Sequence, residues 1–401
     1  MKKILLFILI FNLSYTFAQS DFDLFVESKI FEDKGKIDTS IYLISHAISI
    51  SPEQIYLLHR GQLYFKSKKY NEALNDFILL KDSNNNEIDY KIACCYAALD
   101  NFDETDIWLR KYLNLNNKLP SNVIKSEAIF SKFKTTTQWT EIWNKNWYSN
   151  YENYISEMCY LYSKGLYSEI FDVVDSALKY FPEKDELWLW RAKAFKFGNN
   201  PKEEMISLDK ALKINSTRVD ILLIRANLLR KDGKSKKAIV DYSSALEIQP
   251  WNVKLFKERG ISKIESYDYN GAIVDFLKYF SYDINDGSAL YYAGHAAFLK
   301  GDYKKAIELF TNAIKLESNL VECYFERGRC YLDLLNYETA FTDFCMAIDL
   351  KPNNGEIFCF RGLSYFGLKN KLGACHDWQK AKTLEYPKAE EYLLRFCSDL
   401  K

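Results

Sequence analysis

The feature that most constrains this chain is a period of 34 residues. Residues 321–354, VECYFERGRCYLDLLNYETAFTDFCMAIDLKPNN, carry Tyr324, Gly328, Tyr331, Tyr337, Ala340, Phe344, Ala347 and Pro352. Tyr324, Gly328 and Tyr331 fall at i, i+4 and i+7, one stripe of a helix with 3.6 residues per turn. Ala340, Phe344 and Ala347 make the same stripe on a second helix. Pro352 ends that helix, because it lacks an amide proton and disfavours helical geometry in the residue before it. The small residues let two backbones approach, and the rings fill the space on either side. Such a hairpin cannot hide its apolar stripes alone and must stack on copies of itself.

The copies are present. Counted in steps of 34, units begin at residues 151, 185, 219, 253, 287, 321 and 355. The small slot reads Met158, Ala192, Ala226, Gly260, Gly294, Gly328 and Gly362; the alanine slot reads Ile170, Glu204, Ala238, Ala272, Ala306, Ala340 and Ala374. The large slot reads Val174, Leu208, Tyr242, Phe276, Phe310, Phe344 and Trp378. This spacing resembles that of the tetratricopeptide repeat family. The resemblance implies an all-α, right-handed superhelical solenoid whose concave groove is lined by the first helix of each unit and holds a protein segment. Glu204, Met158 and Lys263 depart from the pattern and predict locally looser packing.

In chain order, residues 1–19 read as a secretory signal, with Lys2 and Lys3 before an apolar run and Thr16-Phe17-Ala18 as the cleavage site. The run is too short and too interrupted for the roughly 20 apolar residues of a membrane helix. Three partly degenerate units occupy 21–117, seven in-register units occupy 151–387, and 388–401 supplies a C-terminal capping helix with Tyr392, Leu393 and Phe396 facing inward. Between the two sets, 118–150 loses the signature. Helices over 121–133 and 139–147 are expected there, with Trp139, Trp143 and Trp147 on one face. This stretch reads as a degenerate hairpin that keeps the stack continuous or as a junction hinged at 134–137, and the first is favoured because so large a tryptophan face has to be covered.

Composition narrows the function. Of the 401 residues, 54 are Lys or Arg and 54 are Asp or Glu, so the basic footprint of a nucleic-acid binder is missing, and no polybasic membrane anchor is present. The nine cysteines lie in predicted helices at slots that elsewhere hold alanine, leucine or phenylalanine. They read as small apolar core residues, with a bridge between adjacent units in the 323–375 cluster as the alternative. Gly233-Lys234-Ser235 lacks the earlier glycine and the strand of a phosphate loop, and the four histidines make no metal spacing. No catalytic constellation is found, so no enzyme activity, cofactor or metal is expected.

Two sets of residues stand out. Arg60, Arg191, Arg225, Arg259, Arg327 and Arg361 precede the small slot, and Asp76, Asp241, Asp275, Asp343 and Asp377 stand sixteen residues after five of them. Where the first slot is Ala293, the second is Leu309. The pairing predicts structural Arg–Asp bridges, since an unpaired guanidinium against a neighbouring helix would cost several kcal/mol. First-helix positions turned away from the partner helix form the candidate groove: Trp190, Lys193, Phe197, Asn227, Arg230, Lys257, Tyr291, His295, Phe298, Phe325, Arg329 and Phe366, basic in the middle and aromatic toward the C-terminus. The leading expectation is a non-catalytic scaffold, exported to the periplasm or surface of a bacterium, that binds a protein or peptide in that groove. The alternatives are a carbohydrate or cell-wall binder using the aromatic stripe, and an accessory subunit of an enzyme or secretion complex.

Overall fold

The structure is a computed structural model that describes residues 20–83 and 85–398. The proposed signal, 1–19, and the last three residues of the chain lie outside the described residues. Among the described residues the fold is all-α: twenty-three α-helices, two 3-10 turns and no strand. No helix among them is long and apolar enough to cross a membrane.

The repeat is legible in its turns. Each first helix ends on a residue in the left-handed region: Asn199, Gly233, Tyr267, Gly301, Leu335 and Lys369 recur at steps of 34. The next residue caps the second helix. Asn200, Asp268, Asp302, Asn336 and Asn370 each accept a hydrogen bond from the amide three residues on, which satisfies a donor that has no partner within the helix. The hairpin then closes on its own small slot. A Cβ added to Gly61, Gly260, Gly294 or Gly328 would stand 2.6–2.9 Å from the ring of Phe77, Phe276, Phe310 or Phe344, and one added to Gly362 would stand 2.5 Å from the Trp378 indole. Those rings are almost fully buried, and each contributes about 2–3 kcal/mol by removal from water.

The chain forms two compact units. The first comprises the described residues up to Leu228 with Ile248–Trp251, and the second comprises Leu229–Glu247 with the described residues from Asn252 on. In the first, hairpins Asp21–Asp33 with Ile37–Ile50, Gln54–Lys66 with Tyr70–Leu79, and Glu87–Ala98 with Phe102–Leu113 stack in order, and so do Asn150–Ser163 with Tyr167–Tyr180 and Asp185–Phe197 with Pro201–Ile214. Between these two runs the helices are shorter than the sequence predicts. Ser121–Ser126 is followed by two 3-10 turns, and Thr137–Trp143 stops before Trp147, whose indole then donates to the Ile142 carbonyl at 2.6 Å. Trp139, Trp143 and Trp147 nevertheless share one cluster around the buried Phe130, Phe133 and Ile142. A buried strut re-anchors the chain: Lys118 Nζ donates to Glu152 Oε1 at 2.8 Å, and Ser149 and Glu152 form a capping box. Burial alone would raise the Glu152 pKa, but the Lys118 and Ser149 bonds outweigh it and hold the carboxyl below its usual range.

In the second unit, hairpins follow one another from Lys254–Glu265 to Lys371–Thr383, and the helix Ala389–Phe396 covers the last of them. Tyr392 and Phe396 lie on the Trp378 indole, and a disulfide joins Cys375 to Cys397. Thus the bridge fastens the terminal helix to the last hairpin, where the sequence offered only a link between adjacent units within 323–375. The other seven cysteines are free. Burial pushes the thiols of Cys95, Cys323, Cys330 and Cys359 up to about 12, as befits core residues.

In several hairpins an arginine ties the hairpin to the one before it. Arg327 donates through Nε and Nη2 to both oxygens of Asp343, at 2.8 and 2.6 Å, and through Nη1 to Thr311 of the preceding second helix at 2.9 Å. Arg60, Arg259 and Arg361 repeat this on Asp76, Asp275 and Asp377, each with Nη1 turned back to Ser45, Ser243 or Cys345. Bidentate geometry is what makes such pairs strong and directional. Arg191, with Ser207 at the forward offset, turns back to Asp175 at 3.2 Å instead. Arg225 also reaches back, to Asp209 at 2.8 Å. Lys263, in a slot meant for a ring, is held by Asp275 at 2.8 Å rather than left loose. Met158 and Glu204 are buried.

Candidate functional site

In the second unit three consecutive first helices, Gly287–Lys300, Val321–Asp333 and Gly355–Gly367, bring one group of the candidate residues together. Arg329 stands at its centre. Its guanidinium lies 4.5 Å from the Phe298 ring centre, 5.4 Å from Phe360 and 5.7 Å from Phe325, within cation–π range of all three. Nη1 donates to both oxygens of Glu326, at 3.0 and 3.2 Å. Among the described residues, Nε and Nη2 make no hydrogen bond. The rings and the carboxylate therefore fix the head of Arg329 while leaving donors to spare.

Beside it, burial pushes the Glu326 carboxyl above its usual range against the opposing pull of Arg329. Burial and the Arg329 charge together lower the pKa of His295. His295 Nδ1 is buried 3.8 Å from Glu326 Oε1 without a hydrogen bond, and its ring stacks on Tyr291. An open cleft of about 330 Å³ adjoins Arg329, walled by Leu332, Asp333, Tyr337, Phe360, Leu363 and Phe366. Its floor is tight: a Cβ on Gly367 would stand 2.3 Å from the Tyr337 ring, so no other residue fits there without moving that ring. Phe366 is 40% exposed and braced by Phe396 of the terminal helix. The arrangement offers a positioned cation beside a mainly apolar slot that also holds the Asp333 carboxylate.

The other candidates do not join this site. Trp190 is only 5% exposed and belongs to the core around Met158, which corrects its reading as a groove residue: its slot packs into the hairpin below the Tyr162 ring. Lys193 lies over that indole, and Phe197 is stacked on Tyr167 at 3.6 Å, both in the first unit. Asn227 is exposed in the same unit. Arg230 is matched by Glu258 at 2.7 Å and Glu265 at 3.5 Å, and Lys257 by Ser288 and Asp286. Thus the basic middle of the groove is neutralised by partners about one repeat away. Sequence reasoning passed over Glu326, Leu332, Leu363 and Gly367, and read Tyr337 only as a repeat position. Glu326 carried a signal, because it replaces Tyr292 of the preceding unit in the same slot.

Two-helix hairpins in tandem, closed on a glycine and a ring and turned through a left-handed residue, give this chain a tetratricopeptide-repeat type of fold. The profile of a family described as anaphase-promoting complex, cyclosome, subunit 3 matches residues 265–346. No curated protein matches the chain. Among solved structures, the C-terminal part of a TPR repeat-containing protein from Cytophaga hutchinsonii is 17% identical, with a TM-score of 0.49, covering 59% of this chain and 98% of that one. A tetratricopeptide repeat protein from Parabacteroides merdae is 22% identical at a TM-score of 0.43, covering 61% and 97%. YrrB, described as a TPR protein with an unusual peptide-binding site, is 22% identical at a TM-score of 0.37, covering 44% and 91%.

Proposed function

We propose that the protein is an exported, non-catalytic scaffold that binds a protein or peptide segment on the first-helix face of its second unit, at the Arg329 cleft. The observation that carries this reading is Arg329 itself: a guanidinium held between three rings, with unused donors, beside a slot walled by Phe360 and Phe366. Arginine and aromatic side chains in such settings are what binding hot spots are made of. A segment with a carboxylate and a neighbouring apolar side chain fits that chemistry. Two rings of the stripe favour a peptide over a sugar, because Tyr291 lies against Tyr292 and His295 while Phe325 lies against Phe344 and Phe360, so neither offers a free run of face for stacking. Export is supported by the character of residues 1–19 and by the Cys375–Cys397 disulfide, a bond that persists in oxidising compartments.

An arrayed library of random ten-residue peptides tests the binding. Enrichment of acidic peptides with an apolar neighbour, weakened about tenfold or more in fluorescence anisotropy by Arg329→Ala, is the expected result. Enriched peptides that bind the Arg329→Ala chain equally well would refute the site.

A further inference from the structure

A second cleft, in the first unit and independent of the Arg329 site, has different chemistry. Helix Asn150–Ser163 presents Asn150, Asn153, Tyr154 and Glu157 at i, i+3, i+4 and i+7, one stripe, and Tyr180 and Phe181 close the opposite wall. The space between them is about 540 Å³, within the ~300–1,000 Å³ of small-ligand sites. It exists because the stack is interrupted there. Elsewhere in this unit a second helix packs along the next first helix, as Tyr167–Tyr180 does on Asp185–Phe197, whereas Thr137–Trp143 packs back on Phe102–Leu113.

We propose that this cleft binds a neutral oligosaccharide. Each asparagine amide supplies donors and an acceptor, Glu157 supplies acceptors only, and the tyrosine hydroxyls supply both, a set that matches adjacent sugar hydroxyls. Among the described residues the side chains of Asn150, Asn153 and Glu157 make no hydrogen bond, so these groups are unspent. The rings offer faces to the C–H surface of a pyranose, and Tyr180 is 72% exposed. No lysine, arginine or histidine lines the space, so nothing there selects a phosphate or a carboxylate. The walls are already set. The Lys118–Glu152 strut and the Ser149 capping box fix the first turn of the helix, and Phe181 is packed against Tyr151 at 5.6 Å. A site ordered before its ligand arrives loses less entropy on binding.

Titration calorimetry on the full chain with cellotriose, maltotriose, xylotriose and triacetylchitotriose tests the assignment. The expected result is that at least one binds with Kd below about 1 mM, that Tyr154→Ala weakens it about tenfold, and that Glu157→Gln, which keeps the shape, weakens it about threefold or more without moving the unfolding midpoint. Arg329→Ala leaves the titration unchanged, which separates this site from the peptide cleft. Failure of all four sugars to bind at about 10 mM, or binding that survives both Tyr154→Ala with Tyr180→Ala and Glu157→Gln, would overturn it.

Discussion

The hairpins that begin at residues 287 and 321 are neighbours in one unit and solve the same packing problem with different residues. The second places the bidentate Arg327–Asp343 pair where its two helices meet. The first places Ala293 and Leu309 in those slots, both buried in an apolar cluster. The left-handed turn is Gly301 in one and Leu335 in the other. On the opposite face, His295 and Tyr292 of the first correspond to Arg329 and Glu326 of the second. Two interior slots therefore change together while the backbone repeats, which is how a structural pair behaves; the slots of His295 and Tyr292 change with no such partner rule, which is how positions under other demands behave.

The largest expected effect comes from breaking the pair on one side only. Asp343→Leu leaves Arg327, a largely buried guanidinium, facing an apolar side chain, and lowers the stability of the second unit by about 3–5 kcal/mol in urea unfolding. If the loss stays near 1 kcal/mol, the pair is ornamental and the comparison fails.

The turn slot is a smaller test. Leu335 sits at φ 57° and is 70% exposed, so Leu335→Gly relieves a left-handed backbone and stabilises by a few tenths to ~1 kcal/mol, while Gly301→Leu costs ~1–2 kcal/mol. Thermal midpoints moving in opposite directions would bear this out; equal signs would mean that Leu335 is held by contacts its exposure does not suggest.

The smallest effect is electrostatic. Burial raises the Glu326 carboxyl above its ordinary pKa, so the folded state takes up that proton at a higher pH than the unfolded chain does. Its contribution therefore favours the fold increasingly as pH falls through the raised value, is complete below the unfolded carboxyl's ~4.3, and is lost as pH rises. The stability of the native chain relative to Glu326→Gln is expected to fall as pH rises from the unfolded carboxyl's ~4.3 through the raised folded value. A difference that is flat with pH would place Glu326 in ordinary water.

The hairpins were legible because the period holds without a gap over seven units, so each slot is read many times. Residues 118–149 were less legible for the converse reason: with no copies to align, a tryptophan at i, i+4 and i+8 looked like one helix, and the stop at Trp143 went unseen. The arginine slots were half read. The forward offset of sixteen stands out, but the backward partners Ser243, Thr311 and Cys345 vary in type and share only their position. The charges of Arg230 and Lys257 looked free because Glu258, Glu265 and Asp286 are remote in sequence and meet them only after the units stack. Trp190 was misplaced because a first-helix slot can face the groove or the neighbouring hairpin, and the period alone does not say which.

The central claim, that the interior arginine and aspartate act as one unit, is tested most directly by a double-mutant cycle on Arg327→Ala and Asp343→Leu, the two residues found at 293 and 309. The account predicts that the double variant recovers most of the stability lost by Asp343→Leu alone, with a coupling energy of about 2 kcal/mol or more between the sites. Strictly additive losses would contradict it.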